Sequence, residues 1–230
     1  MKKTFLAVFF SLFVLSTASA EIGVNVGVSA QLGSMETKGK ESSSDGTSET
    51  SDAEEHIFGT AGFFIEKDLT FLPGPFGRLA IGYDNIGHDI DLGTQTNQRV
   101  DSLGADGDTV DGGPNTVSAE VTGFETLYAT LNITDWLYLK FGSVTVDVDT
   151  QFKKNHVVQT SYANNHELDG TVLGFGVEKS TDNGLFFRLE YNDYDIDGKS
   201  VKSTGTDSKF TAELLDVSGT TGRMSIGKSF

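Results

Sequence analysis

Four histidines are the groups in this 230-residue chain best suited to moving protons near neutral pH: His56, His88, His156 and His166. They fall in or beside long polar connections that also carry many aspartates, and a His–Asp pair there could activate a water molecule. Neither Gly87-His-Asp89 nor Asn164-Asn-His-Glu167 matches an esterase or protease motif, and the chain has no G-x-S-x-G or H-E-x-x-H. Histidines without such a frame read as solvated side chains, so no catalytic residue is expected. Asp193-Tyr-Asp-Ile-Asp-Gly198 copies the first half of an EF-hand loop. Position twelve is Thr204, where the bidentate Glu belongs, and no helical pattern flanks it. A weak divalent-cation contact and an ordinary acidic rim both stay open; no dedicated metal site and no cofactor is expected.

The elements that must position these groups are segments of alternating hydrophobicity, in which a period of two separates two faces. The first strand (about 22–33) carries Ile22, Val24, Val26, Val28, Ala30 and Leu32 on one parity. The second (about 56–67) carries Ile57, Ala61, Phe63 and Ile65, and the third (about 77–87) Leu79, Ile81 and Tyr83. The fourth (about 119–133) has Leu127, Ala129, Leu131 and Ile133. The fifth (about 136–148) starts with Leu137, Leu139 and Phe141, then shifts to Val144, Val146 and Val148, a phase change that predicts a β-bulge at Gly142-Ser143. The sixth (about 170–181) and seventh (about 184–196) present Leu173, Phe175, Val177 and Leu185, Phe187, Leu189, Tyr191. The eighth ends at Phe230.

Connections after odd-numbered strands are long (about 34–55, 88–118, 149–169 and 197–209). Those after even-numbered strands are short: Lys67 to Phe76, Thr134-Asp135 and Asp182-Asn-Gly184. That rhythm predicts an all-β, antiparallel, up-and-down transmembrane barrel of eight strands. Ten is the alternative, if Phe210–Val217 or part of the second long connection forms another hairpin. Asp182-Asn-Gly184 fits a three-residue loop with Gly184 left-handed. It pairs Val177 with Leu189, Phe175 with Tyr191 and Glu178 with Arg188.

A bore of eight strands is just wide enough for side chains to fill. The face opposite the apolar sets carries Glu66, Asp84, Glu178 and Glu190 against Arg78, Lys140, Arg188 and Arg223. Four charges of each sign predict a bore plugged by ion pairs, where a selectivity ring would favour one sign.

Lys2-Lys3, the apolar run Phe5–Leu15 and Ala18-Ser-Ala20 predict a cleaved signal peptide over 1–20. One domain over 21–230 with four long extracellular loops follows. Losing Lys2 and Lys3 takes the net charge from −16 to −18, which excludes a nucleic-acid partner. The chain has no Cys and hence no disulfide framework. The first loop (Glu36, Glu41, Asp45, Glu49, Asp52, Glu54, Glu55) and the second (Asp89, Asp91, Asp101, Asp106, Asp108, Asp111) are acidic and rich in Ser, Thr and Gly. They are expected to be solvated and mobile. They could contact an extracellular partner, or lipopolysaccharide phosphates through divalent cations.

The ending Thr220-Thr-Gly-Arg-Met-Ser-Ile-Gly-Lys-Ser-Phe230 alternates, with Met224, Ile226 and Phe230 on one parity. With the signal peptide and the loop rhythm, it resembles the small eight-stranded outer-membrane barrels of the OmpA/OmpX and opacity-protein type. The resemblance spans residues 21–230 and covers the barrel domain only. It implies a bacterial outer-membrane location, contact with outer-membrane lipid and lipopolysaccharide, and assembly by periplasmic chaperones and the barrel-assembly machinery. Met224, Ile226 and Phe230 would be the assembly signal. The expected role is structural or surface-interacting and non-catalytic; a narrow porin for small cations is second and a rim-located hydrolase third.

Overall fold

Alternating segments become strands because a pleated sheet gathers their apolar side chains onto one face. The computed structural model describes residues 23–43, 48–50, 54–97, 115–153, 165–202, 210–214 and 217–230. The expected signal peptide over 1–20, His156 and the centres of the four long connections lie outside the described residues.

The strands are β1 (Val24–Thr37), β2 (Gly39–Ser43), β3 (Ser48–Thr50), β4 (Glu54–Asp68), β5 (Leu79–Ile86), β6 (Ile90–Asn97) and β7 (Asn115–Asn132). They continue with β8 (Leu137–Lys153), β9 (Asn165–Ser180), β10 (Leu185–Ile196), β11 (Lys199–Lys202), β12 (Phe210–Leu214) and β13 (Val217–Ser229). The wall runs β5-β4-β1-β13-β10-β9-β8-β7, and β5 pairs with β7 to close it. The protein is therefore an antiparallel, up-and-down, closed barrel of eight strands.

The remaining short strands lengthen this wall. β6 lies above β5 on the same neighbour, β7. β11, β12, β2 and β3 form a four-stranded sheet above β10, β13, β1 and β4. Phe210–Leu214 thus prolongs β13, and the ten-strand alternative falls away. Much of what reads as loop in the sequence is strand, because backbone pairing with a neighbour stabilises segments too poor in apolar residues to be recognised alone.

Following the pairing once around from Ser34, through Thr220, Asp193, Leu173, Phe141, Ala129, Ile81 and Lys67, leads back to β1 at Val24, ten residues away. Eight strands with that stagger tilt by about 40° and leave a bore of side-chain width. No helix among the described residues is long and apolar enough to cross a membrane, which says nothing about crossing by strands.

The barrel reverses polarity along its axis. On β9 the outward set from the short-turn end is Val177, Phe175, Leu173, then Thr171, Asp169, Glu167, all exposed. Its inward set runs Gly176, Gly174, then Val172 and Leu168, both buried. β10 does the same: Leu189 and Tyr191 give way outside to Asp193, Asp195 and Asp197, while Arg188 and Glu190 give way inside to Tyr194 and Ile196. The bore near the long connections is filled by one apolar core that includes Met35, Ile86, Phe124, Val144, Val146, Val172, Tyr194 and Ile196.

This reversal corrects the predicted bulge at Gly142-Ser143. β8 pairs with β7 in unbroken register from Tyr138 to Asp147, and Tyr138, Lys140, Val144, Val146 and Val148 all point inward. Along β8 the apolar residues change face because the surroundings change, without a register shift. The bulge lies on β7, between Val121 and Gly123. Val144→Asp, at 1 % exposure, should therefore destabilise by at least about 3 kcal/mol, because it buries an unpaired carboxylate. Ser143→Asp should stay within about 0.5 kcal/mol. A urea titration of the refolded barrel checks this; a bulge at 142–143 would invert the order.

Candidate functional site

The bore beneath the apolar core holds most of the groups that could bind or conduct ions. The β9–β10 turn sets its register. Gly184 adopts φ +80°, its N–H donates to Thr181 O (2.9 Å), and Thr181 N–H donates to Leu185 O (2.8 Å). Asn183 Oδ1 accepts from Leu185 N–H (3.2 Å) and from the Thr181 hydroxyl (2.5 Å). A left-handed residue is cheap only as Gly. This turn places Val177 opposite Leu189, Phe175 opposite Tyr191 and Glu178 opposite Arg188.

Arg188 joins two acids. Its Nη1 donates to Glu66 Oε1 and its Nε to Glu178 Oε2, each at 2.6 Å. The Tyr128 hydroxyl donates to the same Glu66 oxygen at 2.8 Å. Further along the bore, Lys140 Nζ lies 3.3 Å from Glu190 Oε1. Arg223 Nη1 pairs with Asp84, and its Nε lies 3.5 Å from Glu190 Oε2 without hydrogen-bond geometry. Aromatic rings pack around the cations: Arg188 lies over Phe186 (4.6 Å), Phe64 (5.4 Å) and Tyr138 (5.5 Å), and Lys140 over Tyr128 (4.3 Å). These rings fit because the facing positions are Gly82 and Gly176, where a Cβ would overlap Tyr128 and Tyr138. The parity opposite Leu127, Ala129, Leu137 and Leu139 marks both tyrosines in the sequence, although they are uncharged.

Seven of the eight charges anticipated in the bore meet in these pairs, and Arg78 does not. It ends a 3₁₀ turn (Gly74–Arg78) outside the wall, is exposed, and donates to Ile133 O at 3.1 Å. The alternation of β5 starts at Leu79; beginning it at about 77 puts Arg78 on a face that does not exist. The bore network thus has four acids and three bases, not four of each.

Met224 and Ile226 project from β13 on the exposed face, and Phe230 is also exposed. Phe230 exchanges backbone hydrogen bonds with Val24 (2.9 and 3.3 Å), locking the chain end to β1. His56 lies on β4, His88 between β5 and β6, and His166 on β9. Asp193, Asp195 and Asp197 alternate with the buried Tyr194 and Ile196, so the D-x-D-x-D spacing is that of a strand. Among the described residues no group of three or more His, Asp or Glu is placed to hold a metal ion.

The chain matches no protein-family model and no curated protein. Among solved structures it is similar to the outer membrane protease OmpT of Escherichia coli, at 10 % identity and a TM-score of 0.45 over 94 % of this chain and 100 % of that one. It is also similar to Ail, the attachment invasion locus protein of Yersinia pestis (8 %, TM-score 0.35, 90 % and 98 %). A third is the P. putida toluene transporter TodX (9 %, TM-score 0.22, 94 % and 92 %). Likenesses this distant assign no activity to this chain.

Arg188→Met leaves Glu66 buried without its cation and should cost about 3–5 kcal/mol. In a double-mutant cycle with Glu66→Leu the coupling should lie at about 0.5–3 kcal/mol. It should exceed that of Arg188 with Glu178, whose side chain is 25 % exposed. Equal couplings in lipid refolding titrations would contradict the geometry.

Proposed function

We propose that the protein is an integral bacterial outer-membrane barrel with a structural or surface-interaction role, non-catalytic and closed to solutes. The observation that carries this reading is the apolar core across the bore, stacked on the ion-pair network. Such a filling has no aqueous path, and each buried charge is held by a partner. The exposed Val, Leu, Ile and Phe of the short-turn half are the lipid-facing surface in this reading. Ten residues of a strand tilted by about 40° rise about 25 Å, the height of the apolar band of such barrels. β7 and β8, at 18 and 17 residues, exceed the 9–11 that span a bilayer. The half with the apolar core then stands in water outside the cell, with its acidic exterior available to a partner or to cation-bridged lipopolysaccharide.

The likeness to the OmpA/OmpX and opacity-protein type belongs to this reading, as do export by the 1–20 signal and delivery to the barrel-assembly machinery. The reading gives no catalytic step to His56, His88 or His166, which stand on three separate segments. A cation-passing porin is the second reading, favoured by the excess of acid over base in the bore.

Planar-bilayer recording separates the two: the refolded protein should give no steady unitary currents, and regular cation-selective steps would overturn the proposal. Deleting Phe230 should lower the folded barrel in the outer membrane more than it lowers refolding yield in detergent. Unchanged surface levels would remove Met224, Ile226 and Phe230 as an assembly signal.

A further inference from the structure

The bore opens at the short-turn end into a cavity of about 320 Å³. This is the size of a small-molecule site and far larger than a bare ion. Its charged lining residues are Asp68, Glu178, Asp182 and Arg188. Arg188 is already divided between Glu66 and Glu178, and the second Glu178 oxygen accepts from Ser180 at 2.8 Å. The one hydrogen bond described for the Asp68 carboxylate comes from the Asn25 amide, 3.2 Å from Oδ1, so its other oxygen has no described donor. Tyr138 and Phe186, both lining residues, are two of the three rings that flank the Arg188 guanidinium. Tyr138 is 3 % exposed and its hydroxyl has no partner among the described residues. Among the charged residues that line the cavity, three acids (Asp68, Glu178, Asp182) face one base, Arg188.

We propose that this cavity is a binding site for a primary alkylammonium group. Asp68 accepts its N–H donors, and the Glu178 and Asp182 carboxylates line the same cavity. A metal ion fits less well, since no group of three or more acidic or imidazole ligands converges among the described residues. The ammonium could belong to a free diamine or to a lysine side chain. The inference is independent of the membrane role proposed above, because the cavity belongs to the closed barrel in any surroundings.

The test is an NMR titration of the refolded protein in detergent micelles, following the Asn25 side-chain amide and the Trp136 indole. The ligands are 1,4-diaminobutane, Nα-acetyl-lysine amide, and KCl or MgCl₂ at matched ionic strength. A saturable shift of Asn25 by an amine, not reproduced by the salts and weakened at least tenfold by Asp68→Asn, is expected. Tighter binding of the diamine identifies a free amine as the source, and tighter binding of the lysine derivative a side chain. Should Asp68→Asn fail to refold, Thr130→Leu, which adds apolar bulk to the cavity lining, should abolish the shift. A linear, non-saturating response, an equal response to MgCl₂, or unchanged affinity in the refolded variant would overturn the proposal.

Discussion

The pairing of β5 with β7 is the interaction on which the rest of the barrel depends. It satisfies the last open backbone edges of the short-turn half, which an apolar surrounding demands. It also turns a two-faced sheet into an inside and an outside. Once eight strands close with a ten-residue stagger, the bore has a fixed width and must be filled. Glycine stands where a tyrosine reaches across, as Gly82 does for Tyr128 and Gly176 for Tyr138. Arginine and lysine stand where carboxylates lie within reach. A charge left without its partner there would have neither water nor a counter-ion, so the network is cooperative and removing one member strands another.

The same closure explains why one alternating pattern carries two opposite meanings. Where the outside is apolar, the polar face is the inner one, and the bore holds Glu66, Arg188, Lys140 and Glu190. Where the outside is polar, the inner face can be an ordinary hydrophobic core, and Val144, Val172 and Ile196 fill it. The barrel is thus two solutions of one packing problem joined on continuous strands. In the membrane reading, the level of the switch is the water–lipid boundary.

Much of the short-turn half was legible in the sequence, because long alternating runs and a turn of known chemistry over-determine register. Asp182-Asn-Gly184 alone placed Glu178 beside Arg188. Periodicity by itself could not separate two causes of a phase change: a bulge, or a change of medium along a regular strand. Val144, Val146 and Val148 were assigned to the wrong face for that reason, and the apolar core went unseen with them. Arg78 falls on the wrong face in the sequence because a 3₁₀ turn runs to Arg78 and the strand begins only at Leu79, about two residues later than the alternation suggests. Strands β2 and β11 have no apolar stripe of their own; pairing with neighbours makes them, and pairing is not written in local composition. The aspartates from Asp193 to Asp197 resembled ligands for the same reason, since alternating acids on a strand copy the spacing of a calcium loop.

The central claim is the polarity switch and its coincidence with the edge of a membrane. Because the chain has no native cysteine, single cysteines can be introduced along the outward face of β9 at 167, 169, 171, 173, 175, 177 and 179, spin-labelled, and reconstituted in lipid bilayers. Accessibility to oxygen against a water-soluble relaxer then reports the medium at each site. The account predicts lipid at 173, 175 and 177, and water from 171 upward, with the change falling within one or two residues. Lipid-like values continuing through 169 and 167, or water-like values at 175, would contradict it.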